Sequence, residues 1–193
     1  MKNFISKLIL ISSLFTASMS AQAASVPIAA KGTEAIKVVV SSTADIIATF
    51  LGGTALYSDD LFLSSDGGST YGGLIFNNKT SSIGSTVNLG SFAIGTELIF
   101  KMIANSGKAS YFTGGAERNK DGIAHARVQG DWKPGQTLVG FEDLAGGGDR
   151  DYDDVVISLS NTNEDITAVP VPAALWLMGS ALFGLLGLSK RKV

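Results

Sequence analysis

The chain has 193 residues, no cysteine, one histidine and a formal net charge of −2. The absence of cysteine excludes disulfides and cysteine metal sites, and one histidine excludes a multi-histidine zinc or iron centre within one chain. Five of the 15 basic residues lie in the terminal segments, so ten remain to balance 17 acidic residues. The part of the chain between the terminal segments is therefore acidic, which argues against nucleic acid as a partner and favours divalent cations.

The first 23 residues have the three parts of a secretory signal peptide. Two lysines form the positive region, residues 8–15 form a short apolar region, and Ala21-Gln22-Ala23 is an A-x-A cleavage motif. The apolar region is too short to span a membrane. We therefore expect export through the Sec translocon, cleavage by signal peptidase, and a mature chain that begins at Ala24.

Residues 24–160 alternate short apolar runs with clusters of turn residues, which predicts an all-β domain. The predicted strands are residues 35–40, 61–63, 73–76, 86–89, 98–103, 125–128, 137–141 and 155–159. Residues 44–51 are compatible with either a strand or one or two helical turns. Residues 132–136 read as a turn, and residues 161–168 as a polar linker. The strand spacing predicts an antiparallel sandwich or jelly-roll-like fold.

The segment from Phe141 to Leu159, which we call the acidic segment, combines charge with turn residues more densely than any other window. Its acidic residues are Glu142, Asp143, Asp149, Asp151, Asp153 and Asp154. Three glycines at 146–148 allow the backbone to curl, and calcium takes several carboxylate and carbonyl oxygens on a flexible loop. We therefore name all six acidic residues as candidate calcium ligands. The pattern is not an EF-hand, since position six is Asp154 and position twelve is Ser160.

Two other interpretations of the acidic segment stay open. Paired carboxylates can act as acid and base in glycoside hydrolysis, so a carbohydrate-active enzyme that uses Glu142, Asp143 and the neighbouring aspartates is the alternative function. A solvated turn between two strands, partly neutralised by Arg150, is the simplest interpretation.

The C-terminal end has a different composition. Val169-Pro170-Val171-Pro172 precedes an apolar run of residues 173–188 and the basic cluster Lys190-Arg191-Lys192. As a helix the run would be about 24 Å long, slightly short of the roughly 30 Å hydrocarbon core of a membrane. Order and spacing resemble the PEP-CTERM sorting signal, whose three parts are a proline motif, a transmembrane helix and a basic cluster.

This resemblance implies recognition by exosortase, a membrane cysteine protease-transpeptidase. It also implies membrane anchoring through the C-terminal helix before sorting to the cell envelope, outer surface or extracellular matrix of a Gram-negative bacterium. Exopolysaccharide is the matrix partner expected of such a protein. The predicted organisation is thus a signal-peptide helix, a β domain, a linker, and a sorting signal over residues 169–193.

A second resemblance lies in the acidic segment. The motif F-E-D-L at residues 141–144, followed by G-G-D-x-D-Y-x-D-V-V at residues 147–156, resembles the signature of a bacterial domain of unknown function. That domain is found in secreted and surface proteins. Residues 121–126 resemble its upstream D-G-x-x-H-A element, which would add His125 to the site. An isolated histidine on a strand is otherwise more typical of a hydrogen-bonded structural residue.

We therefore expect a non-enzymatic protein of the exopolysaccharide or biofilm matrix with a calcium-stabilised loop. The further alternative is a structural matrix protein that has no specific ligand.

Overall fold

The computed structural model describes residues 25–64 and 66–165. The predicted signal peptide with Ala21, Ala23 and Ala24, and the predicted sorting signal with its proline motif and basic cluster, lie outside these ranges. The described strands are β1 (Lys37–Val40), β2 (Ile47–Gly52), β3 (Asp60–Ser64), β4 (Phe76–Asn77), β5 (Thr86–Asn88), β6 (Glu97–Ala104), β7 (Ala109–Phe112), β8 (Ala126–Lys133), β9 (Gln136–Phe141), β10 (Val155–Ser160) and β11 (Thr162–Asp165).

These strands form two antiparallel sheets, which confirms the predicted all-β, sandwich-like fold. The six-stranded sheet has the order β11-β1-β6-β3-β4, and β7 pairs with the far end of β6. The five-stranded sheet has the order β5-β2-β10-β9-β8. The segment that was ambiguous between strand and helix contains β2, which pairs with both β5 and β10.

The core lies between the sheets, because every second residue of the central strands faces inward. In β10 the inward residues are Val155, Ile157 and Leu159, which meet Leu98, Phe100 and other residues of the opposite sheet. Each large apolar side chain buried in this way stabilises the fold by about 1.5–3 kcal/mol. A sandwich built on this core needs no disulfide.

The lead-in before β1 covers the outer face and the free edge of the five-stranded sheet. Ala29 packs with Leu138 and Val156, which point away from the central core. Glu34 forms an isolated antiparallel bridge with Arg127 of β8. The lead-in therefore protects an edge strand that would otherwise offer unpaired backbone groups.

Three sequence predictions about strands and turns need correction. The predicted linker contains β11, which pairs with β1 from Val40↔Thr162 to Lys37↔Asp165. A polar edge strand carries no apolar signature, because backbone pairing alone can hold it. The predicted turn at 132–136 narrows to residues 134–135, between β8 and β9. Of predicted strand 73–76, only Phe76 pairs, against Leu61.

The helices in the described ranges are 3₁₀ turns of three residues each: Asn105–Gly107, Ala116–Arg118 and Ala145–Gly147. None has the length or apolar character of a membrane span.

We expect Gly140→Ala to lower the free energy of unfolding by about 2 kcal/mol, since overpacking a dense site typically costs about 1–3 kcal/mol. A Cβ at Gly140 would lie 2.2 Å from the backbone oxygen of Tyr152, where the acidic segment crosses β9. Gly73→Ala is the matched control, because its Cβ would meet nothing within 4 Å. Equal urea midpoints for the two variants would contradict this packing.

Candidate metal centre

The acidic segment begins where β9 and β10 separate. The last ladder pair is Phe141↔Val155, and the N–H of Asp154 donates to the carbonyl of Phe141 at 3.1 Å. Antiparallel pairing therefore forces Glu142 and Asp143, which leave β9, against Asp154, which enters β10. The closeness of these three acids is a consequence of strand register, not of sequence proximity.

Between these ends the chain follows a curled path that depends on glycine. Gly146 and Gly147 have φ values of 81° and 82°. At Gly148 a Cβ would lie 2.0 Å from Oε1 of Glu142. Any side chain at position 148 would therefore displace the Glu142 carboxylate. Arg150 and Tyr152 also adopt left-handed backbone angles, with φ of 62° and 59°.

A cation–aromatic contact holds the second half of the segment against β8. The Arg127 guanidinium lies 4.1 Å from the centre of the Tyr152 ring, and its Nε donates to Glu34 at 2.6 Å. The Tyr152 hydroxyl donates to the carbonyl of Ala124 at 3.1 Å. These contacts fix the backbone positions of Asp151 and Asp153, on either side of Tyr152.

Five of the six predicted ligands converge in two groups that share Glu142. The first group is Glu142, Asp143 and Asp154, and the second is Glu142, Asp149 and Asp151; within each group one carboxylate oxygen from each residue lies within 4.8 Å of the others. Glu142 is 1% exposed and Asp143 is 3% exposed. The first group is mainly buried, whereas in the second Asp149 is exposed and Asp151 half-buried; each group can hold a metal ion.

We call the first group, Glu142, Asp143 and Asp154, the inner group. Hydrogen bonds within the protein reach only some of its carboxylate oxygens. Glu142 accepts hydrogen bonds from the N–H groups of Leu144 and Arg150, at 3.3 and 3.1 Å. Oδ2 of Asp154 accepts from the N–H of Asp143 at 2.8 Å. Oδ2 of Asp143 is buried and has no hydrogen-bond partner. Leaving a buried acceptor unpaired costs about 1–3 kcal/mol, and more for a charged group.

Burial and mutual repulsion raise the pKa of each carboxyl in the inner group. Burial raises the pKa of Asp154, and the charges of Asp143 and Glu142 raise it further, to about 8. The pKa of Glu142 is raised by burial and by Asp149 and Asp151. Burial likewise raises the pKa of Asp143, while the neighbouring carboxyl of Asp154, when protonated, can donate to Asp143 and lowers its pKa. The cluster therefore retains a proton near neutral pH unless another cation replaces it.

Asp153 is the predicted ligand that belongs to neither group. Its carboxylate accepts a hydrogen bond from the Thr54 hydroxyl, and its carbonyl accepts from the Thr54 N–H at 2.9 Å. The alternating aspartates of the sequence therefore do not all converge, because the left-handed turn at Tyr152 redirects the chain.

His125 is fully buried and packs against the acidic segment. Its ring stacks on Tyr111 with 3.6 Å between centroids, and Nδ1 lies 2.9 Å from the carbonyl oxygen of Glu142. Nε2 lies 2.9 Å from Oδ2 of Asp121, which also accepts the N–H of Gly146 at 2.9 Å. Both ring nitrogens are used, so the histidine positions the loop and has no nitrogen left for a metal.

Asp59 is a buried acid near the inner group that sequence reasoning missed. It is 0% exposed and accepts hydrogen bonds from Asn105 N–H and the Asn78 side chain, both at 3.0 Å. Burial and the charge of Asp143 raise the pKa of Asp59 to about 6. Only folding brings Asp59 and Asp143 together, since 84 positions separate them in the chain. In the sequence, the only local indication of Asp59 was its place beside an apolar run.

A family model described as "Domain of unknown function (DUF4114)" matches residues 66–162, which is just over half of the 193-residue chain. The matched range contains both carboxylate groups and His125. It confirms the predicted resemblance to a domain of unknown function. The chain matches no curated protein and no solved structure.

In a chelator, the free energy of unfolding should fall as the pH rises from 5 to 9. The pKa of Asp154 is about 8 in the fold against a usual 3.8, so the folded state holds this proton more tightly. The resulting stabilisation is complete below about pH 4 and is lost as the pH rises through 8. The raised pKa of Asp59 acts in the same direction.

Asp154→Asn should reduce this pH dependence and raise the metal-free stability at pH 8 by about 1 kcal/mol or more. Asp45→Asn, at an exposed aspartate of the opposite end, is the matched control and should leave the profile unchanged. Denaturant unfolding at pH 5, 7 and 9 measures both variants. A wild-type stability that stays level over this range would show that the cluster is not strained.

Proposed function

We propose that this chain, which belongs to the DUF4114 family of domains of unknown function, is a calcium-binding β-sandwich domain whose acidic segment is completed by the ion. The observation that carries the proposal is Oδ2 of Asp143, a buried carboxylate oxygen without a hydrogen-bond partner. It lies in a group with Glu142 and Asp154, whose pKa values are raised by the same burial. A cation bound there removes the repulsion and supplies the missing partner.

The donor set favours calcium over other common metals. All candidate donors are oxygens: the chain has no cysteine, and both nitrogens of its single histidine are occupied. Calcium takes about 6–8 oxygen ligands in flexible geometry, whereas magnesium demands a near-ideal octahedron and zinc prefers nitrogen and sulfur. The glycine-rich path over 146–148 can adjust to a large coordination number. Backbone carbonyls and water would complete the shell.

Export of the domain is part of the same proposal. It is supported by the signal-peptide pattern, and the C-terminal pattern supports exosortase sorting to the envelope or to an exopolysaccharide matrix. In such a compartment a disulfide-free domain benefits from an ion that joins the two ends of a long loop. The calcium site and the targeting signals are therefore mutually consistent.

Calcium should raise the melting temperature of residues 24–165 by about 5 °C or more at saturation, because ligand at one hundred times its Kd stabilises a fold by about 2.7 kcal/mol. Asp143→Asn and Asp154→Asn should lose this response while remaining folded in chelator. Magnesium at equal ionic strength and Asp45→Asn are the controls. An unchanged melting temperature at millimolar calcium would contradict the proposal and favour a solvated turn without an ion.

One observation favours a catalytic role. Without a metal, the pKa of the Asp154 carboxyl is about 8, so this group can donate a proton at neutral pH beside Glu142. Turnover of a polysaccharide that persists in chelator and disappears in Glu142→Gln would replace calcium binding with glycoside hydrolysis. We expect no such turnover.

In cells that contain exosortase, mass spectrometry of the mature protein should find a C-terminus that lacks Lys190, Arg191 and Lys192. A matched strain without exosortase should retain them. An unprocessed C-terminus in both strains would contradict the proposed sorting.

A further inference from the structure

A surface groove follows β7, and one end of it borders the acidic segment at Ala145. It consists of three depressions of about 190, 420 and 340 Å³. Phe112 and Arg118 line both the first and the second, and Lys108 and Lys120 line both the second and the third. We call this feature the β7 groove. A strand of four residues is about 13 Å long, so the groove suits an extended ligand.

The charged side chains that line the β7 groove are three basic ones, Lys108, Arg118 and Lys120, and two acidic ones, Glu117 and Asp121. Lys108 and Lys120 are exposed at the rim. The acids nearby are Glu117 and Asp121, and Asp121 already accepts hydrogen bonds from His125 and Gly146. The exposed amines of Lys108 and Lys120 are therefore the groups that can pair with an anionic ligand.

One end of the groove is an aromatic pocket. The rings of Tyr71 and Phe112 lie 6.1 Å apart at 49°, and Ile99 forms an apolar floor on the outward side of β6. Lys101 lies 5.0 Å from the centre of the Tyr71 ring. A Cβ built on Gly67 would meet nothing within 4 Å, so this wall of the pocket is open. Partly exposed rings of this kind pack against the flat face of a ligand ring.

Arg118 is held in place between the aromatic pocket and the lysines. Its Nη1 donates to Oε1 of Glu97 at 2.6 Å and to the carbonyl of Thr113 at 2.9 Å. Its Nε and Nη2 have no hydrogen-bond partner among residues 25–64 and 66–165. A guanidinium fixed at one nitrogen presents the others in a rigid fork, which matches carboxylate geometry.

We propose that the β7 groove binds an acidic polysaccharide, with one pyranose ring against Tyr71 and Phe112 and ring carboxylates paired with Arg118, Lys108 and Lys120. A carboxylated sugar chain combines the two features that the groove offers, an apolar ring face and regularly spaced negative charge. Single-stranded nucleic acid also stacks on aromatic rings, so its binding is one of the outcomes that the test distinguishes. One end of the groove borders the acidic segment through Asp121 and Ala145, so binding at the two sites is tested separately.

Binding is measured by isothermal titration of the full chain in neutral detergent with an oligogalacturonate, with a cello-oligosaccharide as the neutral probe. All titrations contain EDTA, because calcium cross-links uronates and would confuse the two sites. We expect micromolar to millimolar binding of the uronate that weakens as NaCl increases, and no binding of the neutral chain.

The double variant Lys108→Glu, Lys120→Glu should weaken binding at least tenfold, and Tyr71→Ala should weaken it independently. Lys31→Glu with Lys133→Glu gives the same net charge away from the groove and should change the Kd less than twofold. Equal loss in both double variants, equal binding of the neutral chain, or tighter binding of single-stranded DNA would each overturn the proposal. Failure here leaves the calcium response of the acidic segment untouched.

Discussion

The structure depends on one constraint, the antiparallel register of β9 and β10. That register ends at Phe141↔Val155, and it leaves Glu142, Asp143 and Asp154 side by side. Carboxylates that are buried together lose water and repel each other, so their raised pKa values are a property of the fold. The sandwich core stabilises this arrangement, and a cation is the simplest group that converts the repulsion into attraction.

The surroundings keep the acids from relaxing outward. Arg127 and Tyr152 clamp one half of the acidic segment on β8, while His125 and Asp121 hold the other half through Glu142 and Gly146. Each support satisfies its own polar groups, yet Oδ2 of Asp143 remains without a partner. These supports fix the position of the unpaired oxygen, on which the proposed calcium site rests.

Sequence reasoning found most of the architecture and part of the site. Runs of β-branched residues identified nearly every core strand, because inward-facing residues must be apolar. It missed β11, since Thr162–Asp165 is held by backbone pairing with β1 and carries no apolar pattern. Five of the six acidic candidates converge, but Asp153 faces Thr54, and the buried Asp59 was not considered. The local backbone turn at Tyr152 and the long-range packing of Asp59 leave no local pattern in the sequence.

By itself the sequence determined the β class, the absence of disulfides, the concentration of acid near residue 150 and the patterns expected of export and sorting. These follow from composition and local spacing, which are set by chain chemistry alone. Only the tertiary structure decided which carboxylates meet, which oxygen stays unpaired and which lysines gather along β7. Those properties depend on strand register and burial, which arise when residues distant in the chain exclude water together.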